Sequence, residues 1–145
     1  MLTGNRWLKM KYVTGQHALN LTCALFTCGD WRQSAIQWHS PLFRDCEDSV
    51  FGDYGIEQEK PIPGHAENYR VANHIRALLD LLELGRFSLA QGMNKDFICN
   101  DDYTEDIFRQ VTKLKDSSLW HDIDRFMGKE YCAEWLDYKK RSGCA

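Results

Sequence analysis

The 145-residue chain lacks several features by which large protein classes are recognised. No apolar run approaches the roughly 20 residues that cross a bilayer as a helix, and the start of the chain, MLTGNRWLKMKYV, has no apolar stretch resembling a signal peptide. No G-x-x-x-x-G-K-[ST] or G-x-G-x-x-G loop is present, which argues against the common nucleotide-binding enzymes. We therefore expect a cytoplasmic protein with no membrane segment.

An excess of charge of one sign is also lacking. Lysine and arginine number 18 and aspartate and glutamate 21, so the formal net charge at pH 7 is −3. A nearly neutral chain has no general positive field to attract a phosphate backbone or an anionic lipid surface. We predict that neither nucleic acid nor membrane is a partner, although a local basic patch is compatible with this total.

Closely spaced cysteine pairs are missing as well. The chain has no C-x-x-C pair, and its six cysteines are Cys23, Cys28, Cys46, Cys99, Cys132 and Cys144. A chain of this length builds a core without disulfides, so we predict free thiols. Cys23, Cys28, His39 and Cys46 lie close together in sequence, but their gaps do not match the usual zinc spacings. We interpret Cys23 and Cys28 as small buried apolar side chains, and we predict no metal and no cofactor.

One of these cysteines, Cys28, lies in a turn-like segment, TCGDW, where a thiol would be accessible. A cysteine nucleophile needs a thiol of low pKa beside a base, and His17 and His39 are available as bases. No known peptidase or oxidoreductase element surrounds Cys28. We therefore do not predict a catalytic role for it.

The clearest positive pattern lies in mid-chain, over residues 66–84, AENYRVANHIRALLDLLEL. Its apolar residues fall on one helical face, and they are Val71, Ala72, Ile75, Leu78, Leu79 and Leu82. Pro61 and Pro63 precede the segment, and Gly85 stands where a C-terminal helix cap belongs. We predict one central helix of about 28 Å, long enough to cross a small domain.

The part before this helix, residues 12–60, is divided by frequent glycine and proline residues into pieces too short for ordinary helices. Short strands fit these pieces better. We predict strands at residues 18–25, 34–39 and 50–56, with a helix over residues 31–38 as the alternative to the second strand. Residues 1–11 are predicted to form a loose end.

The part after the central helix contains three apolar stripes with the same i, i+1, i+4, i+7 spacing. The stripes are Ile107, Phe108, Val111 and Leu114, then Leu119, Trp120, Ile123 and Phe126, then Tyr131, Cys132, Trp135 and Tyr138. Their starts are not separated by a whole number of helical turns, so breaks must separate three short helices if all face one core. The candidate breaks are Thr104, residues 116–118 and Gly128.

Together these patterns predict a single α+β domain over residues 1–145. A small irregular N-terminal antiparallel sheet of two to four strands packs on the long central helix, and three short C-terminal helices complete the core. The strand-rich part is residues 12–60, and the helical part is residues 61–145.

The sharpest chemical pattern is His65-Ala66-Glu67, at the predicted start of the central helix. It resembles the H-x-E element of zinc-dependent nucleoside and nucleobase deaminases, in which the histidine binds zinc and the glutamate moves protons. The P-C-x-x-C element of that family is absent, so we interpret His65 and Glu67 as surface residues at a helix start. His74 is a further candidate base, with Glu67 as its carboxylate partner on the same side of the predicted helix.

A second set of candidates favours binding. Trp31 and Trp38 flank a polar segment, and one of them is expected to stay partly exposed, as aromatic residues do in ligand pockets and interfaces. Residues 44–59 form an acidic, glycine-containing segment, and the candidate binding residues in it are Asp45, Glu47, Asp48 and Asp53. We predict a docking face for a basic protein partner or a site for a small ligand, with a solvated surface as the alternative.

The run KYVTGQHALNL, followed by CGDW and an aromatic-rich helical C-terminus, resembles the small uncharacterised proteins carried on bacterial mobile elements, integron gene cassettes among them. The resemblance implies an accessory bacterial role and assigns no catalytic residue. Because no complete catalytic motif is present, we favour a non-enzymatic binding or interaction protein. The alternative is a small hydrolase or deaminase-like enzyme with its site at the start of the central helix, using His65, Glu67 or His74.

Overall fold

The computed structural model describes residues 11–143, so residues 1–10 of the predicted loose end lie outside the described residues. Within this range one sheet is formed by β1 (Lys11–Val13), β2 (Phe43–Asp45), β3 (Ile56–Pro61) and β4 (Asn68–Ala72). The α-helices are α1 (Gly15–Leu19), α2 (His74–Glu83), α3 (Phe87–Ala90), α4 (Thr104–Val111), α5 (Trp120–Tyr131) and α6 (Ala133–Ser142). Short 3-10 helices cover Gln33–Ala35, Cys46–Asp48, Asp101–Tyr103 and Thr112–Leu114, and a π-helix covers Met93–Ile98. No helix within residues 11–143 has the length and apolarity to cross a membrane.

The predicted α+β class is confirmed, and the sheet has the strand order β2-β1-β4-β3. β1 pairs antiparallel with β2, and β3 pairs antiparallel with β4. β1 and β4 run parallel and pair at Val13 and Val71. The sheet is therefore mixed rather than antiparallel throughout, because β4 pairs with the antiparallel strand β3 on one side and with the parallel strand β1 on the other.

The predicted central helix is present only in its second half. Residues 68–72 form strand β4, and α2 begins at His74 and ends at Glu83. Asn73 separates the two elements, because its Oδ1 accepts a hydrogen bond from the Arg76 N–H at 2.8 Å and so caps the helix. The ten residues of α2 span about 15 Å, which is roughly half of the predicted length. α2 is still the axis of the core, since all of its residues except the last are buried.

The strands predicted in the N-terminal part were largely misplaced. Residues 18–25 contain the end of α1 and an irregular loop, so the prediction of a strand there was wrong. Residues 34–39 hold neither a strand nor the alternative α-helix, and only part of a 3-10 helix lies among them. Residues 50–55 form turns, and the strand in that region starts at Ile56.

Side-chain hydrogen bonds replace strand pairing in the loop that follows α1. Asn20 is buried, its Nδ2 donates to Asp30 Oδ2 at 3.0 Å, and its Oδ1 accepts from the backbone N–H of Arg32. The backbone carbonyl of Asn20 accepts from Gln33 Nε2 at 3.1 Å. Because buried backbone groups need partners of some kind, these bonds let residues 20–33 remain irregular and still be fixed in place.

The three helices predicted for the C-terminal part are confirmed as α4, α5 and α6. Two of the predicted breaks are also close to the observed ones, since α4 begins at Thr104 and Ser117 Oγ accepts the Leu119 N–H at 3.0 Å just before α5. The third prediction was wrong, because Gly128 lies inside α5. The chain breaks instead at Cys132, whose φ of 54° is left-handed and whose side chain is exposed rather than part of the third stripe.

A buried ionic cluster fastens α2 to the sheet. Asp80 has no exposed surface and accepts four hydrogen bonds, from Tyr12 Oη at 2.7 Å, Thr14 Oγ1 at 2.7 Å, Arg44 Nη1 at 2.9 Å and Arg76 Nε at 3.0 Å. Tyr12 belongs to β1 and Arg44 to β2, so one carboxylate joins both strands to the helix. A buried charge is tolerated only when it is paired and hydrogen-bonded, which makes this cluster a fixed point of the fold.

Candidate functional site

A cleft of about 720 Å³ opens between the irregular loop after α1 and the start of α2, and we call it the α2 cleft. Residues from the 19–34 segment line it together with Lys60 and Pro61, at the end of β3, and His74, the first residue of α2. Two backbone hydrogen bonds hold this loop in place, and their acceptors belong to α1 and to the π-helix. The Asp30 N–H donates to the Leu19 carbonyl at 2.9 Å, and the Gly29 N–H donates to the Phe97 carbonyl at 2.9 Å.

Three side chains in the wall of the α2 cleft form a hydrogen-bonded chain. Cys23 Sγ lies 3.6 Å from Thr27 Oγ1, and Thr27 Oγ1 lies 2.5 Å from His74 Nδ1. The other ring nitrogen, His74 Nε2, lies 2.6 Å from the Leu21 carbonyl oxygen. Cys23 is 7% exposed and His74 is 2% exposed, and both border the cleft. We call Cys23, Thr27 and His74 the relay residues.

The direction of the hydrogen bonds follows from the Leu21 carbonyl. A carbonyl oxygen only accepts, so His74 Nε2 carries a proton and donates it to Leu21. In the neutral imidazole, Nδ1 then accepts from the Thr27 hydroxyl, whose oxygen accepts in turn from the Cys23 thiol. This order allows the thiol proton to reach His74 through Thr27.

Both ends of the relay have perturbed pKa values. Burial opposes ionisation of the Cys23 thiol, but hydrogen bonding to His74 and Thr27 outweighs it and lowers the pKa to about 7 from an ordinary 9.0. Burial likewise opposes protonation of His74, yet the hydrogen bond and charge of Cys23, the Leu21 carbonyl and the charge of Glu57 raise its pKa above the ordinary value. The lowered pKa of Cys23 favours its thiolate near neutral pH, and the raised pKa of His74 makes the imidazole a better acceptor of the thiol proton.

The position of the His74 ring depends on a glycine. Gly29 has a φ of +72°, a conformation that favours glycine, and a Cβ there would lie 2.6 Å from the Leu19 carbonyl oxygen and 2.9 Å from His74 Cε1. The loop backbone therefore packs directly on the imidazole edge. This contact, together with the Leu21 hydrogen bond, holds the ring in one orientation.

The segment that carries Cys23 is also tied to β3. Glu57 Oε2 accepts the Ala24 N–H at 2.8 Å. Lys60 Nζ donates to Glu57 Oε1 at 2.9 Å and to the Thr22 carbonyl at 2.5 Å. Residues on both sides of Cys23 are thus fastened to the strand, which fixes the thiol relative to the helix.

The structure separates the three residues predicted as catalytic candidates. His65 packs edge-on against Tyr69 and lies 2.7 Å from the Trp38 carbonyl, and Glu67 is exposed just before β4. Neither residue lies at a helix start, and Glu67 does not share a helix face with His74, since β4 intervenes. Of the three, His74 is the one that lines the α2 cleft.

The predicted binding residues are likewise divided between different environments. Trp31 is 83% exposed and lines the α2 cleft. Trp38 is half-buried, packs edge-on against His17 at 5.3 Å between ring centroids, and donates from Nε1 to the Gln33 carbonyl at 2.8 Å. Its contacts are those of a structural residue, and Trp31 is the tryptophan available to a ligand.

In the acidic segment, Glu47, Asp48 and Asp53 are exposed, whereas Asp45 is half-buried and its side chain accepts the Glu47 N–H at 2.9 Å. Arg44, the basic residue of the segment, is turned inwards to Asp80. The exposed carboxylates therefore have no basic neighbour within the segment. Docking of a basic partner on this face stays a prediction.

Neither the cysteines nor the histidines assemble a metal site in the described part of the chain. Among residues 11–143 no group of three or more histidine, cysteine, aspartate or glutamate side chains is placed to hold a metal ion. The cysteines described there are free thiols, and they are Cys23, Cys28, Cys46, Cys99 and Cys132.

A second cavity, of about 300 Å³, lies between α3 and α5. Two aromatic rings and several charged side chains line it, and they include Phe87, Phe126, Arg125 and Glu130. The Glu130 carboxylate accepts the Gly92 N–H at 3.1 Å and the Asn94 N–H at 3.0 Å, so its oxygens already hold the loop after α3. The larger α2 cleft, which contains a thiol and an imidazole, is the better candidate site.

Comparison with known proteins assigns no family to the chain. No protein-family model matches it, and no curated protein or solved structure was found to be similar to it.

Proposed function

We propose that the protein is a small thiol hydrolase in which Cys23 attacks the carbonyl carbon of an ester or a thioester. The observation that carries the proposal is the hydrogen-bonded chain from Cys23 through Thr27 to His74 at the wall of the α2 cleft. The thiolate is the nucleophilic form of cysteine, and a pKa of about 7 makes it abundant at neutral pH. A nucleophile beside a base that is itself oriented by a third group is the arrangement expected for covalent catalysis.

The relay residues supply the proton transfers of both steps. In the first step Cys23 Sγ bonds to the carbonyl carbon, and the thiol proton moves through Thr27 to His74. The bond to the leaving alcohol or thiol then breaks, and His74 returns the proton to that group. In the second step water attacks the acyl group on Cys23 while His74 accepts the water proton. The bond between the acyl carbon and Cys23 Sγ then breaks, the carboxylic acid leaves, and the released thiolate takes its proton back from His74.

We further propose that backbone N–H groups of the loop are the donors to the negative oxygen that forms during each attack. The backbone N–H groups of Thr27 and Cys28 belong to residues that line the α2 cleft, and neither donates to an acceptor among the residues that the structure describes. Backbone N–H groups near the nucleophile are the usual donors to such an oxyanion. The buried thiol, the base and these donors favour hydrolysis over a role confined to binding.

The proposed cellular setting follows from the thiols. We place the enzyme in the cytoplasm, because a reducing compartment keeps cysteines such as those of residues 11–143 in the free form. An accessory role in a bacterium, implied by the resemblance to mobile-element proteins, remains part of the proposal.

Acylation of Cys23 tests the hydrolase directly. With p-nitrophenyl acetate, the protein is expected to release p-nitrophenol and to carry one acetyl group on the peptide that contains Cys23, measured by mass spectrometry after rapid acid quenching. The Cys23→Ala variant should lose the acetyl group, and its kcat/KM should fall by about 10³ or more, because the nucleophile is absent. Cys132→Ala, at an exposed thiol outside the cleft, is the matched control and should behave as the wild type. Unchanged hydrolysis by Cys23→Ala would refute the proposal.

A further inference from the structure

Two large aromatic side chains at the α2 cleft are almost fully exposed. Phe26 is 93% exposed and Trp31 is 83% exposed, and both line the cleft. They are the two most exposed large hydrophobic side chains among residues 11–143. Scattered exposed apolar residues are common, but two aromatic rings at one cleft form a surface suited to an apolar ligand.

Both residues are also held in a conformation that is unfavourable for side chains of their size. Phe26 has a φ of 56° and Trp31 a φ of 63°, in the left-handed region that bulky residues seldom occupy. Such strain persists where surrounding contacts over-determine the backbone, and it is concentrated at functional sites. Here the strained backbone keeps two apolar rings exposed to solvent, and packing among residues 11–143 does not explain this exposure.

The backbone on both sides of Trp31 is fixed. The Asp30 N–H donates to the Leu19 carbonyl at 2.9 Å, and the Arg32 N–H donates to Oδ1 of the buried Asn20. The aspartate side chain accepts from Asn20 Nδ2 at 3.0 Å. Trp31 is therefore presented rigidly, although its ring has little contact with the protein.

Phe26 is fixed next to the nucleophile. Its N–H donates to the Cys23 carbonyl at 3.0 Å, so Phe26 and Cys23 belong to one tight turn. The preceding carbonyl, of Leu25, accepts from Tyr103 Oη at 3.2 Å. The aromatic ring is thus held within the same turn as the sulfur that forms the proposed acyl bond.

We propose that Phe26 and Trp31 bind the acyl part of the substrate, which is an ester or thioester with an apolar acyl group several carbons long. This inference rests on the proposed hydrolase. The acyl part, unlike the leaving group, stays bonded to Cys23 through both steps, and Phe26 belongs to the turn of Cys23. Lys60 is the one lysine or arginine that lines the cleft among residues 11–143, and its ammonium already binds Glu57 and the Thr22 carbonyl. The cleft therefore favours an uncharged apolar chain over an anionic group.

A series of p-nitrophenyl esters with acetyl, butyryl, hexanoyl and octanoyl groups tests the inference. We expect kcat/KM of the wild type to rise about three- to fourfold for each methylene group that the aromatic rings cover. Phe26→Ala and Trp31→Ala should each flatten this dependence on chain length, since each removes one of the two rings. Leu136→Ala removes an exposed apolar side chain of α6 and should leave the dependence unchanged.

A binding measurement separates failure of this inference from failure of the hydrolase. Octanamide has no ester bond, and it is expected to bind the wild type with a blue shift of the tryptophan fluorescence that Trp31→Ala lacks. Hydrolysis that requires Cys23 but does not depend on chain length would overturn the acyl site and leave the hydrolase intact. Binding of octanamide at the two rings without hydrolysis of any ester would overturn the hydrolase. Absence of both octanamide binding and a chain-length effect would overturn the acyl site.

Discussion

Replacement of His74 by glutamine is expected to lower kcat/KM for p-nitrophenyl acetate at pH 7 by a factor of about 10² to 10⁴, the range of a positioned acid–base group. Glutamine keeps polar atoms beside Thr27 and Leu21 but has no basic nitrogen to take the thiol proton. His74 also contributes most of the interactions that lower the pKa of Cys23 against its burial. The variant should therefore regain part of its activity as the pH is raised above 8, whereas the wild type should already be near its plateau.

His39→Gln is the matched control, because His39 is an exposed histidine outside the relay residues. It should keep the activity and the pH profile of the wild type. A His74→Gln protein with native circular dichroism and unchanged activity at pH 7 would show that the imidazole does not serve the thiol. A variant that unfolds is distinguished from one that is inactive by its near-ultraviolet spectrum.

Replacement of Asp80 by alanine is expected to lower the free energy of unfolding by about 3–5 kcal/mol, because breaking a buried ion pair leaves an unpaired charge in the interior. Arg76 is fully buried beside Asp80, and Arg44 Nη1 lies 2.9 Å from the same carboxylate. Domains are usually stable by about 5–15 kcal/mol, so this loss is a large part of the total free energy of unfolding. Urea unfolding followed by tryptophan fluorescence measures it.

Asp53→Ala serves as the comparison for Asp80→Ala, since Asp53 is exposed. A surface substitution of this kind is expected to change the free energy of unfolding by less than about 0.5 kcal/mol. A loss below about 1 kcal/mol for Asp80→Ala would contradict the structural role of the cluster. It would also weaken the argument that the cluster positions α2, and with it His74, against the sheet.

The C-terminal helices were predictable because their signal is local. The stripes of α4, α5 and α6 repeat every three to four residues, and Ile107, Phe108, Ile123 and Trp135 are buried as the periodicity requires. The break at Cys132 was not predictable in the same way. Glycine is the usual residue at a left-handed position, so Gly128 was the natural candidate for the break. The chain breaks instead at Cys132, which has the positive φ.

The central segment was predicted as one helix because two of its apolar residues fit two structures equally well. Val71 and Ala72 continue the helical face of the residues that follow, but they also pack at the end of a strand, where β4 pairs with β1 and β3. Pairing with distant strands decided between the two, and a local pattern contains no information about those strands. Asn73, a favourable N-cap residue, was the local sign that the helix begins at His74.

The candidate site was only partly visible in the sequence. His74 was identified as a candidate base, but its partner was taken to be Glu67 on the same predicted helix. The actual partners, Cys23 and Thr27, come from an irregular loop whose shape depends on Asn20 and on the contact between Gly29 and the His74 ring. Such a contact between distant parts of the chain has no periodic signal. The interpretation of Cys23 and Cys28 as small buried apolar side chains was wrong for Cys28, which is exposed. Cys23 is buried as expected, yet its environment is polar rather than apolar.

The rate at which Cys23 reacts with iodoacetamide, measured between pH 5 and pH 10 and resolved by peptide mass, tests the central claim most directly. Glu57 and Lys60 are the charged side chains that hydrogen-bond to the backbone on either side of Cys23. They also pair with each other, with Lys60 Nζ 2.9 Å from Glu57 Oε1. The rate should rise through a midpoint near pH 7 and then level off, since the thiolate is the reactive form. Cys99 is an internal control, because burial and the neighbouring Cys28 raise its pKa to about 11, so its rate should still be rising at pH 10. A midpoint for Cys23 at the ordinary 9.0 or above would contradict the proposed coupling of Cys23 to His74.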